Sequence, residues 1–275
     1  MSLQLAQLGL VHPNGQRALQ RVSLALAAGA RVAVIGPSGA GKTTLLRLAA
    51  AGLRPSEGRI DALGANPWQL SASGLKRLRA RIGLIHQAPP IPPRLRVVTA
   101  VLAGRLGVWS LQRGLASLLY PADIVGAREV LARLDLSDRL FERCDRLSGG
   151  QLQRVGIARV LYQQPELLLA DEPVSALDPA LADLALSQLV AQSESSGATL
   201  VASLHAVDLA LKWFPRIVGM RAGEVVFDAA TASVTPQMLQ DLYATEGAAL
   251  PTQGVPLVLP EAANNVVPLA RPGCR

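Results

Sequence analysis

Aromatic side chains are scarce in this chain, with three Trp, three Tyr and three Phe among 275 residues. Little material is left for the base-stacking platforms of nucleic-acid proteins, and the core must be built mainly from Leu, Val and Ala. Cysteine is nearly absent too. Cys144 and Cys274 lie far apart without metal-ligand spacing and read as incidental thiols of a reducing compartment, not as a disulfide or a zinc site. No stretch reaches the roughly 18 uncharged apolar residues that a membrane span needs, and the N-terminus lacks the pattern of a signal segment. The expected place is the cytoplasm. Between Ala62 and Ala122 there is no Asp or Glu, while eight basic residues occur there within a net charge of +7. That one-sided field suits an anionic surface, a phospholipid headgroup layer or nucleic acid, with an arginine-rich solvated surface as the plain alternative.

At 28.9 kDa the chain is long enough for one large α/β domain with an inserted or appended subdomain. Its organising stretch is RVAVIGPSGAGKT, Arg31 to Thr43. Val32, Val34 and Ile35 predict a strand, and Leu45, Leu46, Leu48 and Ala49 give the following helix a buried side. Between them Gly36, Gly41, Lys42 and Thr43 complete the pattern GxxxxGK[ST]. Such a loop turns backbone N–H groups toward phosphates at a helix N-terminus, where unsatisfied donors already favour an anion. Lys42 is expected to reach the β- and γ-phosphates, and the Thr43 hydroxyl to bind magnesium.

The remaining chain reads in order as follows. Residues 3–11 and 21–26 predict antiparallel strands joined at Pro13, Asn14 and Gly15. His12, beside that turn, is the only ring nearby and is either a surface turn residue or a partner for a nucleotide base. After the first helix, residues 56–58 predict a turn and residues 60–79 an irregular polar stretch. Residues 82–85 predict a strand that closes at His86 and Gln87, where an amide can point at metal or water near the phosphates. The proline-rich segment 88–93 leads into helices over Val97–Leu106 and Ile124–Leu134, so the region up to about residue 150 reads as a helical insertion. It returns through Leu147–Gln151, LSGGQ, with Ser148 as N-cap of a helix running to Tyr162 and Gly149 and Gly150 forming a second anion-ready terminus. One nucleotide rarely needs two such termini from distant parts of one chain, which points to a second copy. Leu167–Ala170 is a buried-type strand delivering Asp171 and Glu172 to its mouth, the first suited to magnesium, the second to orienting a water. Asp178 either caps the next helix or contacts a partner. Residues 198–203 predict a strand followed by His205, either a γ-phosphate contact or a surface histidine. Residues 216–219 and 224–227 resemble a closing hairpin, residues 236–243 a helix, and the segment 246–275 a disordered tail.

In this order the motifs resemble those of the nucleotide-binding subunits of ABC transporters over residues 3 to about 243. Gly36–Thr43 is similar to the Walker A loop, Gln87 to the Q-loop, Leu147–Gln151 to the ABC signature and Leu167–Glu172 to Walker B with its catalytic glutamate. Ser175–Asp178 resembles the D-loop and His205 the switch histidine. The resemblance implies an α/β P-loop NTPase core, with an N-terminal antiparallel β subdomain and an inserted α-helical subdomain at about 88–150, in one nucleotide-binding domain spanning 1–245. It implies ATP and Mg2+ as cofactors. Gly36, Pro37, Ser38, Gly39, Ala40, Gly41, Lys42, Thr43 and Thr44 would hold the nucleotide, with His12 on the adenine where the family commonly has tyrosine. Thr43, Gln87 and Asp171 would hold the metal, and Glu172, His205, Gln87 and Lys42 would serve the chemistry. Ser148, Gly149, Gly150, Gln151 and Asp178 would face the nucleotide of the other subunit in a head-to-tail homodimer.

The further implied partners are a transmembrane permease dimer and, indirectly, a periplasmic or extracellular solute-binding protein, with no nucleic acid. The implied place is peripheral, on the cytoplasmic face of the inner membrane. The segments VHPNGQRALQRVSL, VLAGRLGVWS, SLLYPAD and LLADEPVSALDP are similar to the phosphonate-import branch. Pro89 and Pro90 depart from its usual Q-loop sequence. The expectation is an ATPase powering uptake of phosphonates or related phosphorus oxyanions. An importer of an amino acid or phosphate is the alternative, followed by a soluble ABC ATPase of repair or translation.

Overall fold

Short apolar runs bounded by turn formers make the strands, and segments with a 3.6-residue apolar period make the helices around them. The computed structural model describes residues 1–244; the tail 246–275 and Cys274, on which expectations were stated, lie outside the described residues. In chain order the elements are β1 (Leu3–Val11), β2 (Arg17–Leu26), β3 (Arg31–Ile35), α1 (Lys42–Ala49), β4 (Glu57–Ala62), α2 (Ala72–Ala80) and β5 (Ile82–Ile85). Next come α3 (Val97–Leu102), α4 (Leu111–Leu119), α5 (Ile124–Ala132), α6 (Gly149–Gln163), β6 (Leu167–Asp171), α7 (Pro179–Ser196) and β7 (Thr199–Ser203). The chain continues with α8 (Val207–Trp213), β8 (Arg216–Arg221), β9 (Glu224–Ala230) and α9 (Pro236–Tyr243).

Two sheets result. β2, β1 and β4 form an antiparallel sheet, while β5, β6, β7, β3 and β8 run parallel in that order with β9 antiparallel at the edge. The parallel strands are buried on both faces, which is why they read as continuous apolar runs and not as alternating ones. Val32, Val34, Leu167 and Leu169 face a layer shared with α1 and the antiparallel sheet. Their neighbours Ala33, Ile35, Leu168 and Ala170 face the core built with α3, α5, α6 and α7.

Three local expectations are corrected. The segment expected to turn at 56–58 instead enters β4, and the stretch expected to be irregular at 60–79 holds the second half of β4 and most of α2. β4 has only Ile60 and Ala62 buried, and α2 only Leu78, so neither carries a strong period. The helix expected over 97–106 breaks into α3 and a 3-10 turn at Ala103–Arg105, and α4 follows with Ser110 as its N-cap.

The helices between β5 and α6 are tied to α6 by polar contacts. The Tyr162 hydroxyl donates to Asp123 at 2.8 Å, and Asp123 caps α5 by accepting from Gly126 N–H at 2.9 Å. Burial, reinforced by that bond to a carboxylate, pushes the Tyr162 phenol up to about 12. Gly104 packs so tightly on α6 that a Cβ there would lie 2.2 Å from the Arg159 carbonyl oxygen. Gly104→Ala is therefore predicted to cost about 1–3 kcal/mol of stability in a denaturant titration. Gly149→Ala, with nothing within 4 Å of the added Cβ, is predicted to unfold at the same denaturant concentration as the parent.

Candidate functional site

The parallel register decides which side chains meet. Asp171 pairs with Ser203, and Ser203 pairs with Val34, so the C-terminal ends of β6, β7 and β3 lie on one line. Ligands of open α/β sheets bind at such an edge. From Ile35 the chain enters the glycine loop, and Gly41, at φ 98°, forms the N-cap of α1. A Cβ on Gly41 would lie 2.7 Å from the Ala18 carbonyl oxygen, so only glycine lets the loop pass that close to β2. Among the described residues no side chain caps α1, and its first turn has no acidic residue, which leaves that terminus suited to an anion. Lys42 is buried and folded over the loop, with Nζ donating to the carbonyls of Gly36 at 2.6 Å and Pro37 at 3.1 Å.

At the mouth of β6 the Asp171 carboxylate is 5% exposed, a depth at which a charge requires partners. Its Oδ1 accepts from the Thr43 hydroxyl at 3.0 Å and from the Ser203 hydroxyl at 2.9 Å. Ser203 Oγ in turn accepts the Glu172 backbone N–H at 3.0 Å. Glu172 adopts φ 45°, a left-handed conformation that costs a residue with a side chain on the order of 1 kcal/mol and that occurs at functional sites where neighbours enforce it. Its Oε2 accepts from Gln87 Nε2 at 2.8 Å. Gln153 of α6, itself buried, donates to the carbonyls of His86 and Pro173 at 3.2 and 3.1 Å, joining the ends of β5 and β6 to that helix. Burial, with the charge of Arg47, holds the His86 imidazole below its ordinary range.

A groove of about 410 Å³ is lined by His12, Gln16, Arg17, Ala18, the loop residues Ser38 to Thr44, Gln87 and Glu172, with Asp171 outside the lining and bonded to Thr43. His12 lies in this lining together with the loop. Gly36 and Pro37 are not in the lining; Gly36 donates its N–H to the Tyr243 hydroxyl at 3.1 Å, so the expectation that loop amides face a phosphate does not extend to it. Ser148, Gly149, Gly150, Gln151, Asp178 and His205 are also absent from this lining. Ser148 and Gln151 form a capping box at the start of α6, and a Cβ on Gly150 would lie 3.0 Å from the Ala176 carbonyl oxygen, so that terminus adjoins the loop 173–178. Asp178 caps α7 by accepting from Leu181 N–H at 3.0 Å, and His205 is exposed just past β7. Ser203, Gln153, Arg17 and Tyr243 escaped the sequence reading. Only Ser203 had a usable signal, a hydroxyl closing a strand beside the phosphate loop.

A phosphate-binding loop, an acidic strand end and a glutamine closing the neighbouring strand define, on this sheet, an ATP-binding cassette. Residues 19–175 match the family model described as ABC transporter, and the chain belongs to that family of ATPases. It is 59% identical over 280 residues, all of both chains, to the phosphonates import ATP-binding protein PhnC 1 of Cupriavidus necator. To the phosphonates import ATP-binding protein PhnC 2 of Pseudomonas aeruginosa it is 63% identical over 246 residues, 90% of this chain and 92% of the relative. The dimeric cassette MJ0796, in a post-hydrolysis state bound to ADP and Pi, superposes with a TM-score of 0.72 at 28% identity, covering 83% of this chain and 98% of that one. A nucleotide-free cassette from an ABC transporter, at 22% identity and a TM-score of 0.70 over 88% of this chain and 94% of its own, shares the fold.

Ser203→Ala would leave the buried Asp171 with one donor fewer and the half-buried Glu172 amide with only the Ser203 backbone carbonyl, at 3.2 Å, as acceptor. The expected result is steady-state ATP hydrolysis reduced by about tenfold or more, alongside a loss of about 1–3 kcal/mol in stability. Ser203→Thr, which keeps the hydroxyl, is expected to retain most of the activity.

Proposed function

We propose that this chain is the ATP-hydrolysing subunit of an importer of phosphonates or related phosphorus oxyanions, working through a separate permease. The observation that carries the cargo class is the 59–63% identity, over nine-tenths of the chain or more, to proteins named for phosphonates import. The bonded set of Thr43, Asp171, Ser203, Gln87 and Glu172, with Asp171 and Ser203 buried beneath the others, supports the chemistry.

In this reading ATP occupies the groove with adenine against His12 and its phosphates on the amides of Ser38 to Thr44. Lys42 leaves the carbonyls of Gly36 and Pro37 for the β- and γ-phosphates, exchanging two neutral acceptors for an anion. The residues present fit Mg2+: the Thr43 hydroxyl and the Asp171 carboxylate, both hard oxygen donors, lie 3.0 Å apart, and Gln87, whose amide nitrogen donates to Glu172, lines the same groove as Thr43. When bound, the metal neutralises charge on the β- and γ-phosphates. Glu172 orients a water and accepts its proton as the water oxygen bonds to the γ-phosphorus and the bond to the ADP oxygen breaks. His205 donates to the γ-phosphate. Ser148, Gly149, Gly150 and Gln151 of a second copy close the groove, aiming the N-terminus of α6 at the transferring group, with Asp178 at the contact between copies.

Closure is passed to the permease through a second cavity, of about 560 Å³, between α2, the Pro89–Ile91 segment and α6. Lys76, Arg79 and Arg159 give its lining a positive charge, which suits an acidic cytoplasmic segment of the permease. In this reading the subunit sits peripherally on the cytoplasmic face, held there by its permease, as its likeness to importer ATP-binding proteins supports; among the described residues no helix is long and apolar enough to cross a membrane. The solute-binding protein acts on it only through the permease.

The test is ATP-dependent uptake into proteoliposomes holding this chain, its permease and the cognate binding protein. Phosphonates are expected to drive both uptake and hydrolysis, and Glu172→Gln to abolish both while still binding ATP. Stimulation by an amino acid or phosphate, with none by phosphonates, would discard the cargo and keep the motor.

A further inference from the structure

The entrance of the phosphate loop is held by the last helix of the described chain. Gly36, the first loop residue, gives its N–H to the hydroxyl of Tyr243, 207 residues further on, and the bond is buried. On its other side Gly36 touches β8 so closely that a Cβ would lie 2.0 Å from the Met220 carbonyl oxygen. Gly36 is at φ 148°, so neither the backbone conformation nor the space tolerates a side chain. Tyr243 ends α9, whose Leu239 and Leu242 are buried with it, and Arg221 of β8 donates to the Asp241 carbonyl of the same helix. The far side of the loop is held in the same way, because the Ala40 carbonyl accepts from Gly223 N–H, in the β8–β9 turn, at 3.1 Å. Both ends of the loop therefore lean on elements from the last quarter of the chain.

We propose that Tyr243 is a positioning residue for nucleotide binding: its hydroxyl holds the Gly36 amide away from the groove and pre-forms the phosphate loop. The proposal rests on the reading of the groove as an ATP site. A buried N–H without an acceptor is costly, so removing the phenol oxygen favours loop conformations in which Gly36 rotates to find another partner. Such conformations cannot present Ser38 to Thr44 correctly, and apparent affinity falls with the fraction that can. The effect is on binding, because Tyr243 bonds the backbone of the loop entrance and does not line the groove.

Tyr243→Phe keeps the ring and deletes the acceptor. On the full chain, titration with MgATP and MgADP is expected to show both dissociation constants raised about fivefold, with KM for ATP raised alike and kcat within about twofold of the parent. A purely structural tyrosine would lower the melting temperature and leave both constants unchanged, which would overturn the proposal, as would a fall in kcat at constant KM. Should Tyr243→Phe not fold, amide exchange in the nucleotide-free parent decides instead: the Gly36 N–H is expected to be protected, and exchange as fast as in an open loop would overturn the proposal. A folded parent without affinity for ATP would overturn the nucleotide reading itself, a result distinct from a parent that binds and a variant that binds equally well.

Discussion

Three parallel strands ending in register form the constraint on which the site depends. Because β7 lies between β6 and β3, Ser203 stands between Asp171 and the strand that launches the phosphate loop. Its hydroxyl donates to Asp171 and accepts from the Glu172 amide, so one side chain fixes the carboxylate suited to the metal and the backbone that aims the carboxylate suited to water. Thr43 reaches the same Asp171 oxygen from the loop side. The helices of both layers hold these strand ends in place, since alternate strand residues are buried in two separate cores.

That edge is polar inside an apolar frame, and polar groups there are costly unless partnered. Lys42 is satisfied by carbonyls of its own loop, Asp171 by two hydroxyls, and Gln153 by the carbonyls of His86 and Pro173. The bonds of Lys42, Thr43 and Gln87 can each be exchanged for a ligand, whereas those of Ser203, Gln153 and Tyr243 lie behind the groove. The site thus separates groups free to change partners from groups that hold the frame. Cys144 belongs to neither set: burial, followed by the charge of Asp145, pushes its thiol up to about 11, which keeps it protonated and inert.

Much of this was legible in the sequence where function restricts local chemistry. A loop that must bring backbone to a phosphate needs glycines at fixed positions and a lysine after the last, so Gly36 to Thr43 could be read directly. β6 announced itself as four buried residues ending in two acids. By contrast β4, exposed over much of its length, and α2, with Leu78 as its one buried residue, left little periodic trace because they lie at the periphery. Gly150 was legible as part of an anion-ready turn and Asp178 as either a helix cap or a partner contact, but their place relative to the groove depends on the folded chain. The bond between Gly36 and Tyr243 left no local trace, since neither residue type is unusual where it stands and only the packing of α9 on β8 brings them together.

On the function proposed above, the strand edge is half of an ATP site completed by the N-terminus of α6 from a second copy. Light scattering on the Glu172→Gln chain with and without ATP tests it most directly. The account predicts that ATP doubles the mass of the particle, and that adding Ser148→Arg, which puts a bulky cation at the cap, keeps it monomeric while ATP still binds. A chain that binds ATP stoichiometrically and stays monomeric at every concentration tested would contradict it.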